Sequence, residues 1–281
     1  MKWNRADSLE LRIYPFTLDF FPLFPGARAE SPAGQPALAR FSFILDGSPV
    51  PGPVCAISSR SAGNMVYSPQ RSNPARDRLF AALGLDPRRV FACVQSHSQK
   101  VLSATGTNPG NLEGDGLVSA DPSACLTVTA ADCLPVYLFD TGSGAFGIVH
   151  SGWKGTGIVF RALLLMEERW ETRPAAVTAV LGPCIRSCCY HVDEERARLF
   201  KSQVEAQLSP GGEIPGIGAA YPLVRGSGEL DMQAANIRLL AAAGVRHIAV
   251  CGNCTFTDER LGSYRREGPG FSRMAALIGR F

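Results

Sequence analysis

Residues 130–154 read AADCLPVYLFDTGSGAFGIVHSGWK, and the rest of the chain is best read outward from them. Two apolar runs flank the turn-rich segment DTGSG. Short runs rich in Val, Ile, Tyr and Phe, joined by a few residues containing Gly, signal two strands of a hairpin. A hairpin doubles the chain back, so Cys133 at the start of the first run meets His150 at the end of the second. A further histidine, His97, lies upstream in QSHSQ. Together they would make a constellation of soft nitrogen and sulfur donors.

The centre of the chain is β-rich. Residues 90–95, 116–119, 125–129, 136–139 and 146–150 are short apolar or β-branched runs. Outside the centre, residues 9–16 (LELRIYPF), 39–45 (ARFSFIL), 54–58 (VCAIS), 176–181 and 247–251 also read as strands. Four helices are expected. One covers 73–83, with Asn73 as N-cap and Pro74 at the first position. The second covers 157–170, with Val159, Leu163 and Met166 on one face, and the third covers 193–200. The fourth begins at the Asp231 cap, runs to Ala243 and stops at Gly244. Two loops rich in Gly and Pro, 26–36 and 209–228, read as irregular, the second as an exposed, mobile insertion. Residues 273–278 form a last element of undetermined type. Strands and helices mix without strict alternation, which predicts a mixed α/β fold of layered sheets in a single domain over 1–281, not a doubly wound parallel sheet.

Composition narrows the function. Hydrophobic residues make up 46% of the 281, an ordinary globular level. A formal net charge of +3 gives no case for nucleic acid. Asp7, Glu10 and Asp19 interrupt the N-terminal apolar runs, so no export signal is expected, and no run is long enough to span a membrane. With nine cysteines, an odd number, the expectation is a cytoplasmic protein with reduced thiols, some free to bind metal.

Zinc takes Cys and His ligands, and catalytic sites use three of them and leave a position open. His97, Cys133 and His150 are far apart in sequence, which suits ligands delivered from separate strand ends. The residues alone leave three readings open: a zinc site, a Cys133 nucleophile with His150 or His97 as base, and ordinary packing. Asp132 is a candidate proton carrier or partner of a ligating histidine. Arg60, Lys154, Arg265 and Arg266 are candidate phosphate contacts, and the helix start after HSGWKGTG could hold an anion. Cys184, Cys188, Cys189, Cys251 and Cys254 form a second candidate cluster, with packing as its simpler reading. His191 and His247 read as structural.

The blocks QSHS (95–98), GDGLVSAD (114–121), TAADCLPV (129–136), HSGWKGT (150–156), LGPCIRSCCYHV (181–192), LDMQAAN (230–236), CTFTDERLGSYRRE (254–267) and SRMAALI (272–278) resemble, in order, the multicopper polyphenol oxidase or laccase-domain family. Members of that family are read as zinc-dependent purine nucleoside phosphorylases with adenosine deaminase activity. The resemblance implies a layered α/β/β/α fold, shared distantly with the cytotoxic-necrotizing-factor toxin deamidase, which uses a Cys–His pair. It implies one zinc ion on His97, Cys133 and His150, with copper as the alternative metal. It implies catalytic roles for Cys133, Asp132 and Lys154, substrate contacts from Arg60, Gln95 and Lys154, and nucleoside and phosphate as partners of a monomer or homodimer. Two alternative functions go with it: a Cys–His amidohydrolase editing peptidoglycan precursors, and a copper polyphenol oxidase. The chain departs from the family pattern at Arg60, whose block lacks paired glycines, and at Lys154, where an arginine is usual.

Overall fold

The computed structural model describes residues 10–23, 36–208 and 214–281. Its centre is the hairpin. Strands Leu134–Asp140 and Phe146–Ser151 pair antiparallel, with Leu134 opposite Ser151 and Phe139 opposite Phe146. The turn works through Asp140. Its carboxylate accepts from the Gly142 amide at 2.9 Å and the Ser143 hydroxyl at 2.6 Å, and its carbonyl accepts from the Gly144 amide at 2.9 Å. Gly144 sits at φ +78°, a conformation that costs glycine little.

Around the hairpin two sheets form. One has seven strands in the order Arg12–Phe16, His247–Cys251, Val177–Leu181, Leu134–Asp140, Phe146–Ser151, Gly116–Ser119, Val101–Ser103. The other has six, in the order Phe20–Pro22, Ala37–Phe41, Val54–Ser58, Met274–Gly279, Cys125–Ala130, Val90–Ala92. Both mix parallel and antiparallel pairs.

The period-2 alternation of strand side chains then sets the layers. Leu134, Val136 and Leu138 face helices Ile158–Trp170, Glu194–Leu208 and Met232–Ala243. Tyr137 and Phe139, pointing the other way, pack against Ile57, Leu126, Val128, Ala276 and Ile278 of the second sheet. The far face of that sheet carries Leu38, Ala56, Ala275 and Leu277, covered by Leu79 and Phe80 of helix Pro74–Ala82. The result is the expected α/β/β/α stack. Because both faces of each sheet are covered, central strands bury every residue, as Leu134–Asp140 does. Each large apolar side chain so buried contributes about 1.5–3 kcal/mol. The single polar group in the inter-sheet part of that strand, the Tyr137 hydroxyl, donates to the Ala56 carbonyl at 3.0 Å and so ties the sheets together.

Several boundaries differ from expectation. Strand 39–45 divides into Ala37–Phe41 and a separate Ile44–Leu45 piece paired with Ser48–Pro49, and the strand expected from 9 begins at Arg12, with Leu9 outside the described residues. The expected strand 90–95 ends at Ala92, with Val94 making only an isolated bridge. The helix expected over 193–200 continues to Leu208, because Ala197, Phe200, Val204 and Leu208 sustain one apolar stripe. In the 209–228 insertion, residues 209–213 lie outside the described residues. The remainder is ordered, with helix Ile217–Ala220 and a hairpin of Val224–Arg225 with Glu229–Leu230. Of the other loop, residues 26–35 also lie outside the described residues. Met274–Gly279, of undetermined type in sequence, is a buried central strand.

Candidate active site

The hairpin register places Cys133, one residue before its strand, beside Gly152, one residue after the partner strand. A Cβ on Gly152 would stand 2.9 Å from Cys133 Sγ and 3.1 Å from His97 Cδ2, so only glycine permits this approach. Gly155 likewise packs against the chain at His97 and Ser98, where a Cβ would meet the Ser98 carbonyl at 2.9 Å. His97, Cys133 and His150 thereby bring one donor atom each within 4.8 Å of one another. The two imidazoles meet edge to face, with centroids 5.0 Å apart. His97 and Asp132 have positive φ, +60° and +88°, uncommon for residues with a Cβ and characteristic of strained functional loops.

Asp115 holds this arrangement, and sequence reading passed over it. Its carboxylate is fully buried and accepts five hydrogen bonds. The amides of Ser96, His97 and Ser98 donate at 3.1, 3.0 and 2.7 Å, the Ser98 hydroxyl at 2.7 Å and His150 Nδ1 at 2.9 Å. Burial alone would raise the Asp115 pKa, but the bonds from His150 and Ser98 outweigh it and hold the carboxyl well below its usual range. With Nδ1 donating to Asp115, His150 presents Nε2 to the cluster, and the carboxylate fixes the ring's tautomer and orientation as it does for many metal-binding histidines. The signal was present in sequence as GDG. A Cβ on Gly114 would meet the Lys100 carbonyl at 2.9 Å and one on Gly116 would meet Val149 at 2.7 Å, so glycines flank Asp115 where chains crowd.

Charge is distributed accordingly. Burial raises the Cys133 thiol, yet the facing imidazoles of His150 and His97 more than offset it and bring it down to about 6. Burial lowers His150, but the Cys133 thiolate and Asp115 raise it to about 9. Two imidazoles and a thiolate, one imidazole oriented by a carboxylate, fit a zinc or other soft d10 ion in donor type, number and approach.

The cluster opens into a cleft of about 470 Å³. Trp153, Tyr190, Tyr264 and Phe271 supply aromatic walls, and Arg196, Arg265 and Arg273 supply positive charge. Tyr264 and Phe271 meet edge to face at 5.0 Å, and Arg273 lies 4.3 Å over the Phe271 ring.

The other sequence candidates divide. Gln95 lines the cleft, but its side-chain amide pairs with the backbone of Thr129, donating at 2.9 Å and accepting at 2.7 Å. Asp132 lines it too, with one oxygen accepting from the Thr255 hydroxyl at 2.6 Å and the other from the Arg265 amide at 2.7 Å. Lys154 is exposed, does not line the cleft, and lies 5.4 Å over the Trp153 ring. Arg60 is also outside the lining, 3.7 Å from Glu267. Arg266 is spent on the carbonyls of Thr255, Phe256, Asp258 and Leu261. His247 stacks on Tyr14 and His191 faces Glu229, both apart from the cluster.

A layered mixed α/β fold with a His–Cys–His cluster at the mouth of an aromatic, cationic cleft defines the class of protein. Residues 64–280 match the family described as multi-copper polyphenol oxidoreductase laccase, and the chain belongs to that family. It is 35% identical over 205 residues to a purine nucleoside phosphorylase of Deinococcus radiodurans, covering 73% of this chain and 75% of the relative. It is 33% identical over 219 residues to the purine nucleoside phosphorylase YlmD of Geobacillus stearothermophilus, covering 73% and 77%. Among solved structures, Bacillus licheniformis YfiH superposes with a TM-score of 0.69 at 25% identity, over 85% of this chain and 99% of that one. YlmD from Geobacillus stearothermophilus superposes at 0.68 and 26% identity, over 85% and 96%. No helix among the described residues is long and apolar enough to cross a membrane.

Proposed function

We propose that this chain is a zinc-dependent purine nucleoside phosphorylase that also deaminates adenosine. The observation that carries the reading is the His97–Cys133–His150 cluster facing a cleft whose walls are aromatic and whose charge is cationic. The relatives named purine nucleoside phosphorylase support the reaction class. A flat purine suits walls of Trp153, Tyr190, Tyr264 and Phe271, on which base stacking contributes about 1–3 kcal/mol. An inorganic phosphate suits guanidinium groups, which bind it through two parallel bonds. We assign that contact to Arg196, Arg265 and Arg273 in place of Lys154 and Arg60, which do not line the cleft.

In phosphorolysis a phosphate oxygen forms a bond to ribose C1′ as the bond from C1′ to the base nitrogen breaks, giving ribose 1-phosphate and free base. His97, Cys133 and His150 would hold the ion, which when bound supplies Lewis acidity and a lowered pKa for water. Asp115 keeps the Nδ1 proton of His150 in place and fixes the ring. Asp132, with both oxygens engaged, positions the loop carrying Thr255 and Arg265. We place the protein in the cytoplasm, since nine free cysteines suit a reducing compartment. Adenosine is incubated with purified protein with and without phosphate, and the products are separated. Phosphate-dependent adenine release together with phosphate-independent inosine formation, both abolished by a zinc chelator and restored by zinc, is the expected result. Full activity in metal-free protein overturns the zinc claim.

One observation favours a second reading. Cys133, lowered to about 6 beside two imidazoles, resembles an activated thiol nucleophile, so a Cys–His amidohydrolase acting on peptidoglycan precursors is the alternative. A covalent acyl adduct on Cys133 would establish it. A multicopper oxidase fits poorly: the chain has four histidines, and only two of them converge.

A further inference from the structure

Outside this site a second group of soft donors comes together. Cys188, Cys189 and Cys254 place their Sγ atoms within 4.8 Å of one another, and those of Cys188 and Cys189 are 3.4 Å apart. Adjacent cysteines in a strand would diverge. Here residues 187–189 form a turn, in which the Cys189 and Tyr190 amides both donate to the Arg186 carbonyl at 2.9 Å, and both thiols fall on one side. Cys254 arrives from a separate loop. That loop is held independently of the thiols by a parallel bridge between Cys184 and Cys254, with the Thr255 amide donating to the Cys184 carbonyl at 3.0 Å.

Backbone donors converge on Cys254. The Arg186 amide donates to its Sγ at 3.4 Å, and the Phe256 and Thr257 amides point at the same sulfur. Burial raises this thiol, but those amide donors bring it below its ordinary value. Burial, with the neighbouring Cys188 and Cys254 thiols, pushes Cys189 up to about 12, so Cys254 is the ligand whose environment favours the charged form.

We propose that Cys188, Cys189 and Cys254 bind a thiophilic d10 cation of the zinc(II) or copper(I) class as three thiolates. Sulfurs about 2.3 Å from a common ion stand about 3.8 Å apart, so a group already within 4.8 Å needs shifts of about an ångström or less. Thiolates without oxygen donors select such ions over magnesium or calcium. Cys188 is exposed, which gives the ion an entry path and leaves room for a fourth ligand. Binding releases the remaining thiol protons to solvent and involves no change of oxidation state.

The site clamps two loops that both reach the cleft. Ile185 and Tyr190 line it, and Thr255, next to Cys254, donates to Asp132. The proposal stands independently of the nucleoside reading.

The test is ion uptake by the full chain under anaerobic, reducing conditions. One arm uses cadmium(II) as the zinc-class probe and the other uses copper(I) delivered from a chelate; the arm in which the ion resists chelation names the class. Wild-type protein should take up two ions, one at His97–Cys133–His150 and one at the three cysteines, and Cys188→Ser/Cys189→Ser should take up one. Cys133→Ala should keep one ion with a thiolate charge-transfer band. Should the double variant fold poorly, Cys188→Ser, at an exposed position, should still lose the second ion to a chelator that wild type resists. Equal stoichiometry in wild type and both serine variants overturns the proposal. So does a chain that takes up no second ion and, after air exposure, is lighter by two hydrogens through a Cys188–Cys189 or Cys189–Cys254 disulfide.

Discussion

Replacing Asp115 with asparagine changes one oxygen to an amide nitrogen and should damage both the fold and the metal site. One carboxylate oxygen accepts from the His97 amide and His150 Nδ1, the other from the Ser96 and Ser98 amides and the Ser98 hydroxyl. An Asn carbonyl can replace only one of them. The NH2 group then faces two or three donors, although the Ser98 hydroxyl can turn to accept. At about 1.5–3 kcal/mol per bond to a charged group, at least two lost bonds cost about 3–6 kcal/mol. That is a large part of the roughly 5–15 kcal/mol that holds a domain folded. With the His150 ring no longer fixed, zinc affinity should fall roughly 10–100-fold. Urea unfolding of the metal-free protein measures the first quantity and competition with a chelator the second. A variant within about 1 kcal/mol of wild type and with unchanged zinc affinity would refute the role given to Asp115. The pH dependence has a definite sign. The folded carboxyl is depressed below its unfolded value, so its stabilisation is complete above the ordinary carboxylate range and is lost as the pH falls below it. The Asn variant should therefore show a weaker loss of stability in acid than wild type.

Gly152→Ala forces a Cβ to 2.9 Å from Cys133 Sγ, so zinc affinity should drop roughly 10–100-fold, measured by chelator competition, with the circular dichroism spectrum unchanged. In metal-free protein, alkylation of Cys133 should reach half its maximal rate near pH 6, against roughly 8.5 for an ordinary thiol, and zinc should protect it; a midpoint above 8 contradicts the thiolate–imidazole pairing. Lys154→Ala, at an exposed position, should change the KM for phosphate less than about fivefold. Arg265→Ala should raise it by about tenfold or more, the worth of one charge-assisted bond. The reverse order, read from initial rates over a phosphate series, would return the anion contact to Lys154.

How much of this was legible in sequence depended on whether a feature was local. The hairpin was legible because its strands, its Asp140 turn and its two donor residues lie within one continuous stretch. His97 was found by residue type and its donors-at-strand-ends setting, although no spacing rule joins it to the others. Asp115 was missed because an aspartate between glycines also reads as a turn. Only the crowding of Gly114 and Gly116 against Lys100 and Val149 shows why glycine is needed there. Arg196 was missed because it comes to the cleft on helix Glu194–Leu208, far from the donor residues in sequence. Lys154, only four residues after His150, reads as a site residue by proximity, yet the tight turn at residues 153–157 sends it to the surface. Adjacency along the chain was a poor guide to charge placement, whereas strand register brings Cys133 and His150 together and the buried Asp115 carboxylate holds the His97 loop against them.

The zinc reading is tested most directly by an anomalous difference map from crystals of protein purified without chelator and supplied with zinc. A single strong peak at the zinc edge bounded by His97, Cys133 and His150, with His150 Nδ1 still on Asp115, is the expected result. No density among those three residues in zinc-supplied crystals, with Cys133 carrying a covalent adduct or its free thiolate instead, would contradict it.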